Sequence, residues 1–227
     1  GSAADDISKA VANIGLEELR CIISSTMLRS LLQGKTKSRN QIWANSIAVA
    51  ICCRLLSRYT EFSAGELFLC GLLHDVGKLV MIRRAPVEYE KVLRIVGSDG
   101  IPFVEAEERV FEVNHVEVGQ WVAESWNFPP CVISAIAGHH LSWPSESTSK
   151  GKNTPLPYVV KVADIIAHSS GIGHSIGSRG LEKSCIEQVP AAFDQLAIQP
   201  SEREPLVSSL KRKFETESDL YQPEEVS

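Results

Sequence analysis

Apolar side chains recur along this chain three and four residues apart, the spacing of one helical face, and almost nowhere in the alternation of a half-buried strand. From 5 to 33 they run through Ile7, Val11, Ile14, Leu19, Ile22, Ile23, Leu28, Leu31 and Leu32, with Gly15 marking a break between two helices. The pattern returns over 40–59 through Ile42, Asn45, Ala48, Cys52, Leu55 and Tyr59, and it predicts further helices over 65–83 and 87–96. VGSDGIP interrupts it, and 103–111 resumes it. His115, Gly119, Val122 and Trp126 share a face of the next helix, which NFPP ends; Pro130 opens another that reaches His140. The prediction is an all-α chain without internal repeats.

Two polar segments separate the later helices. SWPSESTSKGKNTP, 142–155, predicts an exposed mobile loop. SSGIGHSIGSRG, 169–180, contains GxG, but it follows a helix rather than a strand and its glycines are spaced GxGxxxG. It therefore reads as a helix-to-helix connection. After 200 the chain is strongly charged; one amphipathic helix through Leu206, Leu210 and Phe214 fits, with disorder beyond it.

Composition narrows the class without naming a function. At 227 residues, with 44% hydrophobic and 22% charged, the chain has room for one sizeable core or two small ones. A net charge of -5 gives no electrostatic ground for binding nucleic acid or an anionic membrane. The basic clusters GKTKSR (34–39) and KRK (211–213) read as solvated surface. The apolar run 67–73 is too short to span a bilayer, and no signal peptide follows Gly1-Ser2, which has the look of an expression scar. The six cysteines form no CxxC pair and read as buried, reduced thiols of a cytoplasmic protein.

Chemistry concentrates where charge interrupts apolar helices. In FLCGLLHDVGKLVMI, 68–82, the side chains of His74, Asp75 and Lys78 stand inside a run that is otherwise apolar. Such groups are rarely buried unless paired or bound. His115, the pair His139-His140, and Asp164 in YVVKVADIIAH have the same setting, whereas His168 and His174 read as loop or loop-edge residues. Imidazole and carboxylate are the ligand set of zinc, iron and manganese. Each residue alone has a plainer explanation, as a hydrogen-bonded core histidine or a paired acid. Their coincidence on core faces favours a metal site.

GLLHDVGKLV resembles the HDxGK signature of the HD superfamily of metal-dependent phosphohydrolases, and the later order of His115, His139-His140 and Asp164 resembles its HD-GYP branch. The flanking segments ISKAVANIGLEELRCII, IWANSIAVA, HVEVGQWVAESWNFPPCVISAIAGHH and VVKVADIIAHSSGIG are similar to those of HDOD domains, the output-domain relatives of the HD enzymes. The resemblance implies an HD-domain-like helical bundle over 1–200. Residues 1–35 would be the remainder of an N-terminal helical lobe, 36–200 the HD-like core, and 201–227 a charged helix and tail.

The same resemblance implies metal ligands at His74, Asp75, His115, His139, His140 and Asp164. One ion would use position 45 with His74, Asp75 and Asp164. The other would use Asp75 as a bridge with His115, His139 and His140. WANS, however, places Asn45 where the enzymes carry a histidine, and HHLSWPSEST lacks the acidic and GYP residues of cyclic-di-GMP phosphodiesterases. The expectation is a bacterial signal-transduction module that acts through other signalling proteins. It would hold at most one divalent ion (iron, manganese or zinc), and an empty, hydrogen-bonded site is equally compatible. Self-association is open, and neither membrane nor nucleic acid is expected as a partner. The alternative is a metal-dependent phosphohydrolase, in which Lys78 would stabilise charge on the phosphoryl oxygens.

Overall fold

The computed structural model describes residues 37–144, 150–172 and 179–221, so the helices expected over 5–33 lie outside the described residues. The described residues are helical, with no strand among them. The chain runs through α1 (Lys37–Leu56), α2 (Ala64–Leu73), α3 (Val76–Arg84), α4 (Pro86–Asp99), α5 (Phe103–Phe111) and α6 (His115–Ser125). It continues through α7 (Pro130–Gly138), α8 (Leu156–Ser169), α9 (Arg179–Gln195) and α10 (Pro200–Glu217).

Helix α1 is the axis of the bundle. Ile42, Trp43, Ile47, Ala48, Val49, Ala50, Ile51, Cys52, Cys53 and Leu56 are all buried, which a helix achieves only when neighbours cover more than one face. Helices α2, α8 and α10 pack against it. Its continuous apolar run is thus the signature of a central helix. A small separate cluster of Val92, Val96 and Ala106 joins α4 to α5.

Several sequence expectations need correction. The helix predicted over 65–83 is two helices, broken at His74 and Asp75. Asp75 takes φ −104° and ψ 19°, outside the helical region, and sends the chain off in a new direction. The helix opened by Pro130 ends at Gly138, with His139 as its C-cap, rather than running through His140. His168 lies at the loop edge, as expected, but still within the last turn of α8, where its ring reaches Asp164. Thr154, at the end of the segment expected to be an exposed loop, is buried and donates a hydrogen bond to the Gln195 carbonyl at 3.0 Å. Order also continues past α10. Ser218–Tyr221 forms a 3-10 turn, and the Trp43 indole donates to the Tyr221 carbonyl at 2.8 Å. No helix of the described residues is long and apolar enough to cross a membrane.

One crossing brings the chemistry together. Helices α3 and α6 touch backbone to backbone, since a Cβ on Gly77 would stand 1.9 Å from the His115 carbonyl oxygen. Gly119 faces the same contact: a Cβ there would stand 3.3 Å from the Gly77 nitrogen. Only glycine at 77 lets the start of α6 approach the start of α3 this closely.

Candidate metal centre

Three of the histidines are delivered by helix ends, and His140 follows directly after one. His74 and His139 are the C-caps of α2 and α7, and His115 is the first residue of α6. The start of α6 is fixed by a capping box. Asn114 accepts from the amides of Val116 and Glu117 at 3.0 and 3.2 Å, and the Glu117 carboxylate accepts from the Asn114 amide at 3.1 Å. Asp75 occupies the N-cap of α3, yet its side chain makes no capping bond and turns into the cluster instead.

A carboxyl or carbonyl oxygen holds Nδ1 of three of these rings. His74 Nδ1 lies 2.7 Å from the Gly71 carbonyl, and His139 Nδ1 lies 2.9 Å from the Ile136 carbonyl. His115 Nδ1 lies 2.6 Å from Glu107 Oε2, which also accepts from the His115 amide at 2.8 Å. Glu107 is wholly buried, and its other oxygen accepts from the Tyr89 hydroxyl at 2.8 Å. With Nδ1 as the donor, the His115 and His139 rings turn a lone pair at Nε2 toward the centre. That is the arrangement by which a histidine is prepared for a metal.

The inward-facing atoms converge. One ligand atom each from Asp75, His115, His139 and His140 lies within 4.8 Å of all the others. His115 Nε2 is 3.1 Å from His140 Nε2 and 3.3 Å from Asp75 Oδ1, and His139 Nε2 is 3.6 Å from the same oxygen. Ligands about 2.0–2.2 Å from a shared ion stand roughly 3.0–3.6 Å apart, so these separations suit a coordination shell. Among the described residues, Asp75 Oδ1 and His139 Nε2 are buried without a hydrogen-bond partner, as are His74 Nε2 and Asp164 Oδ1. Buried polar atoms are seldom left so. The donor set therefore fits a divalent transition-metal ion.

His74 and Asp164 form a wing beside that group. His74 Nε2 stands 3.4 Å from Asp75 Oδ2 and 3.6 Å from Asp164 Oδ1, and His168 Nδ1 stands 3.0 Å from the same Asp164 oxygen. Lys78 Nζ is 2.7 Å from Asp75 Oδ2 and lies over the Phe103 ring. Asn45 is buried on α1, and its amide oxygen has no hydrogen-bond partner among the described residues.

Charge separates the two halves. Burial holds the His139 imidazole below its ordinary range. His140, an exposed residue whose ring nitrogen faces the cluster, is lowered as well by desolvation of that nitrogen and by the neighbouring His139 and His115. Both rings are therefore neutral near pH 7 and have no proton to lose before binding a cation. At His74 burial works in the same direction, but Asp75 and Asp164 outweigh it and push the imidazole up to about 10. For Asp75, Lys78 and His74 overcome burial and keep the carboxyl far below the usual carboxylate range. His168 and His74 do the same for Asp164.

Six expected ligands thus meet in one region, four of them around one point and two beside it. Sequence reading missed Glu107, Tyr89 and His168. A signal for Glu107 existed: it shares the face of Phe103, Ala106 and Val110, where an acid is out of place.

Comparison with known proteins agrees with this architecture. The family model described as HDOD domain matches residues 1–142. An uncharacterized protein of Treponema pallidum is 31% identical over 137 residues, which is 60% of this chain but only 27% of that protein. A crystal structure of a candidate phosphohydrolase from Shewanella amazonensis superposes with a TM-score of 0.67 at 20% identity, covering 97% of this chain and 76% of the other. An HDOD domain protein of unknown function from Geobacter sulfurreducens gives a TM-score of 0.66 at 25% identity, covering 92% and 74%. At 20% identity the Shewanella likeness speaks for the fold alone.

Proposed function

The chain belongs to the HDOD domain family, and on that premise we propose that it is a signal-transduction output module. It acts mainly by binding other proteins, and its HD-type site serves as a structural ion site rather than a reaction centre.

The division of the Asp75 carboxylate carries this reading. Oδ1 faces His115 and His139 at 3.3 and 3.6 Å, while Oδ2 is taken by the Lys78 ammonium at 2.7 Å. A carboxylate that bridges two ions through both its oxygens offers one to each. Here the second oxygen is neutralised by a buried cation, and position 45 supplies an amide where an imidazole would be needed. One ion, held by Asp75, His115, His139 and His140, is what this set supports. When bound, such an ion would tie α3, α6 and the end of α7 together, and as a Lewis acid it would also lower the pKa of a bound water.

The interaction face would lie on the outside of α3 and α6. A groove of about 420 Å³ runs between them, lined by Val80, Arg83, Arg84, Val118, Trp121 and Trp126. Trp121 is 58% exposed and Trp126 44%. Tryptophan and arginine are the side chains that most often anchor protein interfaces. Since α3 and α6 also carry Asp75 and His115 at their starts, an ion that fixes their crossing would also fix the groove.

Phosphohydrolase chemistry is the second reading, favoured by the same four-ligand cluster and by Lys78. The lysine would have to leave Asp75 to reach a phosphoryl oxygen, and burial beside that carboxylate opposes the move.

The test pairs two variants. Asp75→Asn should abolish ion uptake, and Trp121→Ala with Trp126→Ala should abolish partner capture while leaving ion uptake intact. Ion-loaded wild-type protein should turn over neither cyclic-di-GMP nor aryl phosphate esters. Turnover that Asp75→Asn removes would overturn the proposal in favour of the enzyme.

A further inference from the structure

His140 differs from the other three residues of the four-membered cluster. Asp75, His115 and His139 are buried, whereas His140 is exposed, so the cluster meets solvent on its side. The buried rings are fixed through Nδ1 by oxygen atoms. His140 lies beyond the end of α7 and takes its position from the short stretch of chain that follows it.

That stretch is fastened to α8. The end of α7 rests on the start of α8, since a Cβ on Gly138 would stand 2.7 Å from the Pro157 Cβ. The Leu141 amide donates to the Gly138 carbonyl at 3.2 Å and closes the turn that carries both histidines. From α8 the Lys161 ammonium donates to the Leu141 carbonyl and stands 4.7 Å from the centre of the Trp143 ring. Trp143 also stacks on Tyr158, with ring centroids 6.3 Å apart and planes inclined by 26°. Pro157 and Tyr158 lie four and three residues before Lys161, so one side of α8 makes all of these contacts.

We propose, resting on the one-ion site inferred above, that Lys161, Trp143 and Tyr158 form a latch that controls how fast an ion enters and leaves the cluster. With the latch closed, the chain after His140 is fixed at Leu141 and Trp143. The imidazole then stays against His115 and His139, at centroid distances of 5.1 and 4.1 Å. With the latch open, Leu141 and Trp143 move away from α8 and carry His140 with them. Because the other three ligands are buried, exchange with solvent takes place past His140. Lys161 and Trp143 act through His140 and are positioning residues, not ligands. Each contact is modest, so the latch opens without unfolding the bundle.

Zinc-loaded full-length chain, mixed rapidly with an excess of a chromogenic chelator, tests the latch through its release rate. Lys161→Met keeps the stem and removes the ammonium, and Trp143→Leu removes the ring; each should release zinc about tenfold faster than wild type. Lys161→Arg, which keeps a cation, should stay within about twofold of wild type. In His140→Ala zinc should leave fast whichever residue stands at 161, because the latch then has no ligand to hold. Equal release from wild type, Lys161→Met and Trp143→Leu would overturn the proposal, as would an effect of Lys161→Met that persists in full without His140.

Ion-free protein gives a second measurement. Diethyl pyrocarbonate, with its products mapped by mass spectrometry, should modify His140 about tenfold faster in Lys161→Met than in wild type. Unchanged reactivity would count equally against the latch. A wild-type chain that takes up no zinc would overturn the one-ion reading and the latch together, whereas zinc uptake with unaltered release in the variants would overturn the latch alone.

Discussion

Glu107 Oε2 lies 2.6 Å from Nδ1 of His115, and the same oxygen accepts the His115 backbone amide. One buried carboxyl group thus sets both the ring orientation and the position of the helix start that carries it. With Tyr89 on its other oxygen, Glu107 links α4, α5 and α6 to the ion site. Glu107→Gln keeps the shape but replaces one acceptor oxygen with a donor NH₂. Zinc or manganese affinity should fall by about 10- to 100-fold, measured by calorimetric titration, with helix content unchanged. Unaltered affinity would show that His115 does not bind the ion.

Ion binding should itself be visible as stability. At a free concentration of about 100 times Kd, a single ion adds about 2.7 kcal/mol. The thermal midpoint of ion-free protein should therefore rise on adding zinc or manganese and stay put in Asp75→Asn. Elemental analysis should find no more than one ion per chain. Two tightly held ions would contradict the division of Asp75 between Lys78 and the histidines.

Lys78→Met tests that division directly. Removing the ammonium leaves the buried Asp75 carboxylate with one compensating cation fewer, which costs about 3–5 kcal/mol in ion-free protein. Added ion should recover part of the loss and bind more tightly than in wild type, since Oδ2 is freed. Chemical denaturation with and without ion measures both effects.

Asn45→His would restore the imidazole that the HD enzymes carry at this position. Uptake of a second ion by this variant, but not by wild type, is the expected outcome in elemental analysis.

The His74 imidazole gives a pH signature. Its folded value, about 10, lies above the ordinary 6.5. Its contribution to stability is therefore complete below about pH 6.5 and lost as pH rises through 10. Urea denaturation of ion-free protein should show stability falling from about pH 7 to 10, and His74→Gln should flatten that fall. A wild-type profile that is already flat would rule out the charged His74 between Asp75 and Asp164.

Gly77→Ala should act on fold and site at once. The new methyl would overlap the His115 carbonyl, a backbone atom that cannot turn aside. Overpacking of this kind typically costs about 1–3 kcal/mol. Separation of α3 from α6 should also weaken ion binding, so the thermal midpoint and the affinity should fall together.

The periodicity of apolar residues was enough to determine an all-helical chain, because burial of one helical face leaves a spacing that survives in the linear order. The match of Phe103–Phe111 to expectation, and the start of α7 at Pro130, show how well local signals work when caps and prolines mark the boundaries. The ligand candidates were legible for a similar reason: His74, Asp75, His115, His139 and Asp164 interrupt apolar patterns that would otherwise be continuous. The break between α2 and α3 was not legible, since Leu72 to Ile82 reads as unbroken helix and only the turn at Asp75 shows that the chain changes direction. Nor could linear order show that Glu107 supports His115 or that His168 reaches Asp164. Sequence by itself determined which helical faces are largely buried, though His140 turns out exposed and Asp164 half-buried. Tertiary structure alone decided which of them meet, because hydrogen bonds and ion pairs between helices depend on crossing geometry, here set by a carbonyl resting where Gly77 has no side chain.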